Sequence, residues 1–198
     1  MPRIPVSLHL ALDPEADELL SRDPFALLAG MLLDQQIAME RAFLGPSVLA
    51  RRMGSPTRLD PEAIARMDPD TFIALMSGPP AVHRFPASMG GRLQLLALAI
   101  TDQYDGEAAT LWTTAGSGAE LLARLKALPG FGEQKARIFL ALLGKQLAVQ
   151  PDGWREAAGP YGEDGSRRSV ADVVDRASLD EVRTYKQEMK RAKQAAAT

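Results

Sequence analysis

Two amphipathic stretches separated by the four residues Pro129-Gly130-Phe131-Gly132 constrain this chain more than any other feature. Upstream, Ala119–Leu128 places Leu121, Leu122, Leu125 and Leu128 on one face of a helix. Pro129 removes a backbone donor and the glycines supply turn conformations closed to other residues, so the helix stops there. Downstream, Glu133–Leu143 restarts with an acid in its first turn and with Ala136, Phe139, Leu140 and Leu143 in phase. A helix-hairpin-helix is therefore expected over about residues 119–144. Its Gly-rich turn sits where a helix N-terminus leaves backbone N–H groups free, which is an anion site built from main chain alone.

The rest of the chain also reads as helices joined by short turns. Ile4, Val6, Leu8 and Leu10 alternate, which suits a short strand or an extended arm, but no second strand offers itself as a partner. Asp13–Arg22 is a short helix. Asp23-Pro24 caps a long apolar one, Phe25–Ile37, whose polar exceptions are Gln35 and Gln36 at its end. Further helices are expected at Met39–Met53, Asp60–Arg66, Asp68–Met76, Leu93–Tyr104, Gly153–Ala158, Val170–Val174 and Leu179–Lys193. Gly78-Pro79-Pro80 breaks the chain, and Gly159–Gly165 is a loop. The expected fold class is all-α, with eight to ten helices.

Composition narrows the chemistry. No cysteine is present, so disulfides and thiolate metal sites are excluded, and the two histidines stand apart. Neither a signal peptide nor an apolar run long enough to span a bilayer is visible, which leads to the expectation of a cytoplasmic protein with no membrane partner. The net charge of −2 argues against a strongly basic nucleic-acid binder, but its distribution is uneven. Residues 1–118 hold 9 basic and 14 acidic side chains, whereas residues 119–198 hold 14 and 11. A modest electrostatic footprint therefore lies in the half that contains the hairpin.

Leu128-Pro129-Gly130-Phe131-Gly132, its following helix and an acid near that helix's far end resemble the helix-hairpin-helix (HhH-GPD) superfamily of DNA glycosylases of base-excision repair. In that family a lysine two places after the last glycine marks the strand-cleaving members, and an aspartate follows about eighteen residues later. The lysine position here is Gln134, and eighteen residues on lies Asp152, in Gln150-Pro151-Asp152-Gly153-Trp154. Leu32-Leu33-Asp34-Gln35-Gln36 is similar to the family's helix end whose glutamine enters the DNA. The resemblance spans about residues 23–160 and implies a two-lobed helical fold acting as a monomer on double-stranded DNA that contains a lesion, nucleoid-associated when bound.

By that resemblance Asp152 is the catalytic carboxylate, stabilising positive charge on the sugar and orienting water. Gly130, Phe131, Gly132, Gln134, Lys135, Gln35 and Gln36 would contact DNA. An amide at Gln134 cannot form a Schiff base, so base removal without strand cleavage is implied. Lys135, about 100° around the helix, is read as a phosphate contact or a solvated side chain. Trp154 is the nearest candidate to line a pocket for a flipped base. No metal and no iron–sulfur cluster is expected as a cofactor, although the family's hairpins can bridge a monovalent cation to a phosphate. The residues also fit two other classes: a helix-hairpin-helix protein that binds DNA without chemistry, and an α-helical protein-interaction adaptor. For Asp152 the plain alternative is an N-cap of Gly153–Ala158. For the basic terminal helix it is a solvated face.

Overall fold

Four Asp-Pro dipeptides each start a helix, because proline at the first helical position lacks the N–H that would otherwise go unpaired. In the computed structural model, which describes residues 7–196, Asp13, Asp23, Asp60 and Asp68 cap α1 (Pro14–Arg22), α2 (Pro24–Leu33), α4 (Pro61–Arg66) and α5 (Pro69–Ser77). The other helices are α3 (Met39–Arg52), α6 (Pro86–Tyr104), α7 (Thr110–Thr113), α8 (Gly118–Ala127), α9 (Glu133–Gln146), α10 (Trp154–Ala158) and α11 (Arg176–Ala196). Single 3-10 turns occur at Gly159–Tyr161 and Val170–Asp172. The protein is all-helical, with no strand among the described residues, and no described helix is long and apolar enough to cross a membrane.

Among the described residues the N-terminal alternation makes no strand. Ile4 and Val6 lie outside the described residues, while Leu8 and Leu10 are buried in the core. The N–H groups of Leu10 and Ala11 donate to Asp17 Oδ1 at 2.8 and 2.7 Å, so a carboxylate takes the place of a partner strand.

Helices α1 to α6 pack among themselves, with α2 at their centre, buried from Phe25 to Leu33. Helices α8, α9 and α10 form a second group, which the turn at Val170–Asp172 joins to α11. One continuous core runs through both groups. Helix α2 ends four residues sooner than its apolar pattern suggests. Asp34 leaves the helical backbone (ψ 70°), and Gln36 adopts the left-handed region (φ 59°). Lys135 from α9 and the adjacent Gln35 take its last carbonyls instead. Helix α6, in contrast, starts seven residues early and runs through Gly90-Gly91 against the propensity of glycine. Gly90 lies against Met76 of α5, and that packing outweighs the local preference.

Candidate functional site

The hairpin turn is shaped by a close approach. Gly130 has φ +82°, and a Cβ there would run into Leu32 of α2. Phe131 N–H donates to Leu128 O at 3.1 Å, closing the turn. No side chain caps α9, so the exposed first-turn amides that follow Gly132 stay open for a ligand. Phe131 itself corrects its sequence assignment. Its ring is 3% exposed and meets Phe139 edge-on at 5.9 Å, so it is a core residue that can offer DNA only its backbone.

Beside this turn opens a cleft of about 850 Å³. One wall is the end of α2 with residues 34–37, another is the start of α9 with Pro160 and Tyr161, and the third is α11. Gln134 lines it and donates from Nε2 to Tyr161 Oη at 3.0 Å. Gln36 is exposed at its rim. Gln35 is held on three sides: its Nε2 donates to Leu32 O at 2.9 Å, Arg92 donates to its Oε1 at 3.3 Å, and its backbone O receives His83 Nε2 at 2.9 Å. Because His83 Nδ1 accepts the Phe85 N–H at 3.0 Å, Nε2 must carry the proton. His83, 1% exposed, thereby fixes the loop that presents Gln36.

Lys135 also departs from its expected role. It is half-buried in the cleft wall, and its Nζ donates to Met31 O at 2.8 Å and Leu32 O at 2.9 Å, capping the C-terminus of α2. Burial pushes its ammonium down to about 8; the Asp34 charge opposes that shift and Arg92 adds to it. The unfolded lysine keeps its ordinary value of 10.5, so between these values the unfolded chain binds more protons and stability rises with pH. Denaturant titrations should therefore show wild type gaining on Lys135→Met from pH 8 to 10.5. A pH-independent difference between the two would refute this.

Asp34 was not singled out by sequence reasoning, yet among the described residues that line the cleft it is the one acid. It is half-buried and lines the cleft. Burial pushes its carboxyl above the ordinary carboxylate value, Lys186 and Lys135 pull it down, and Glu40 pushes it up. The available signal was an acid directly following nine apolar residues, Phe25–Leu33.

The α11 wall carries Tyr185, Lys186, Met189, Lys190 and Lys193 toward the cleft, the spacing of one helical face. Leu179 and Val182 bury the helix start, and Arg183 pairs with Glu40 of α3. The basic terminal helix is thus a wall of the cleft as well as a solvated surface.

Asp152 and Trp154 lie elsewhere. Asp152 is exposed, and its backbone O accepts the N–H of Gly118 at 2.8 Å, at the start of α8. Trp154 is 7% exposed, its ring pressed on Gly144 and covered by the Arg155 guanidinium at 4.5 Å from the ring centre. It is a packing residue and lines no described part of the cleft. Both sit at the C-terminal end of α9, whose fourteen residues span about 20 Å, whereas Gln134 sits at its start. The local alternative for Asp152 fails too, since no side chain caps α10. Exposed apolar side chains occur on and beside α6 (Phe85, Leu95, Leu98). No protein-family model matches this chain, and neither a curated protein nor a solved structure does.

Proposed function

We propose that this chain binds double-stranded DNA through the hairpin and the cleft, and hydrolyses the N-glycosidic bond of a damaged or mismatched base. In this reading it is a monofunctional helix-hairpin-helix DNA glycosylase. The observation that carries it is that the open amides of the hairpin and a basic cleft large enough for a flipped nucleotide share one end of α9. The hairpin amides hold a backbone phosphate. Lys186, Lys190 and Lys193 neutralise neighbouring ones, and the displaced base enters the cleft past Gln36. Gln134 provides an amide and Lys135 is engaged with the carbonyls of α2, so water is the nucleophile.

The exposed position of Asp152 favours one second reading, DNA binding without chemistry. Release of bases from duplexes carrying alkylated, deaminated or oxidised bases separates the two. Binding without release from any of them would leave only the second. The α11 contacts have their own test. Replacing Lys186, Lys190 and Lys193 with glutamate should weaken binding and flatten the slope of log affinity against log salt by about 3. An unchanged slope would remove α11 from the interface.

A further inference from the structure

Among the described residues lining the cleft, Asp34 is the sole carboxyl, and it accepts no hydrogen bond and makes no ion pair with any described residue. That sets it apart from the acids around it. Glu40 is taken by Arg183, Glu133 by Lys126 and Arg137, and Asp172 by Lys145 and the N–H groups of Arg168 and Ser169. A carboxylate in a polar cleft with no structural partner is free to face a ligand, and its surroundings favour a charged one. Lys186 on α11 and Lys135 on α9 stabilise its anion, Glu40 on α3 opposes it, and Arg92 of α6 reaches the adjacent Gln35. The residue is also held in place. The turn that carries it is fixed by His83 through Gln35, and the helix before it by Lys135.

We propose that Asp34, not Asp152, is the carboxylate that acts on the scissile sugar. The proposal rests on the base-excision reading. The oxygen of water bonds to C1′ as the C1′–N bond breaks, and the electron pair of that bond leaves on the base. Asp34 stabilises the developing positive charge and takes the proton of the water, which then passes through solvent to the departed base. One molecule of water is consumed, and a free base and an abasic site result. The elevated carboxyl value fits this role, because a base held above the usual carboxylate range is a stronger proton acceptor. The rate should therefore rise with pH through an acid limb that belongs to Asp34.

The test is base release from the damaged-base duplexes by wild type, Asp34→Asn, Asp34→Glu, Asp152→Asn and Lys186→Met, each across pH and with DNA affinity measured alongside. Asp34→Asn should lose at least about 100-fold in rate with affinity unchanged, and Asp34→Glu should restore part of it. Asp152→Asn should stay within about twofold of wild type, because a solvent-exposed acid outside the cleft has no reacting atom to act on. Lys186→Met removes a cation near Asp34 and should move the acid limb to higher pH; this reading survives even if Asp34→Asn fails to fold. An active wild type with Asp34→Asn equally active, or an acid limb that Lys186→Met leaves in place, would overturn the proposal and spare the base-excision reading. A wild type that releases no base from any duplex would end both.

Discussion

Asp23→Ala is expected to lower the unfolding free energy by about 3–5 kcal/mol. Asp23 Oδ1 receives the N–H groups of Phe25 and Ala26 at 3.0 Å each, and Oδ2 receives Leu59 N–H at 2.7 Å. The first two are amides of the opening turn of α2. The third belongs to the segment entering α4, so one carboxyl joins two parts of the helical group. All three donors lie in buried surroundings, and alanine leaves each without an acceptor at about 1–3 kcal/mol apiece, less than additive because the chain relaxes. For a chain of this size that is a fall in Tm of about 10 °C. Burial pushes the Asp23 carboxyl above its ordinary value, so its negative charge is not what the site needs most. Asp23→Asn keeps an acceptor for the α2 amides and should lose about half as much. Equal losses for the two variants would mean that charge, not acceptor count, holds the junction. Because α2 carries Asp34 at its other end, the same variants should loosen the cleft wall before the hairpin.

What the sequence made legible here was local. The Asp-Pro caps, the start of α2 and the two faces of the hairpin each depend on residues within one or two turns, and each forms close to its expected place, whereas the far end of α2 does not. What it concealed depends on direction and on distant partners. The eighteen residues from Gln134 to Asp152 match the family spacing, but a count carries no heading. Helix α9 runs away from the hairpin, and the segment after it ties back to Gly118 and Gly144 before the chain returns through α10 to bring Tyr161 to Gln134. Phe131 and Trp154 illustrate the same limit, since an aromatic ring beside a motif is equally suited to a ligand and to a core. Lys135 is a further case. Nothing within the hairpin indicates that the end of α2 lies across from it with two carbonyls in need of donors. Asp34 was hidden for the opposite reason: it stands inside a recognisable run in which the family resemblance falls on the glutamines that follow it.

Gly118→Ala is expected to destabilise the protein by about 2 kcal/mol, although the substitution improves helix propensity. Gly118 is the first residue of α8, where alanine in isolation would gain up to about 1 kcal/mol. A Cβ at this position, however, would lie 2.5 Å from Trp154 Cα, 2.6 Å from Gly153 O and 2.6 Å from Trp154 N. All three are backbone atoms, so no rotamer change can relieve the overlap, and α8 and α10 must move apart. That motion stretches the Gly118 N–H to Asp152 O bond and lifts the Trp154 ring from Gly144, losses that overpacking data put at about 1–3 kcal/mol before any propensity gain. Gly132→Ala is the control: its φ is −75°, a Cβ there meets nothing within 4 Å, and its Tm should not fall. Equal melting of both variants with wild type would show that the α8–α10 contact gives way freely. The two glycines also separate the ends of α9. Gly118→Ala disturbs the turn around Asp152 and leaves the cleft intact, so its folded fraction should release base at the wild-type rate if Asp34 supplies the carboxylate. A fall in that rate beyond the loss of folded protein would return the chemistry to Asp152.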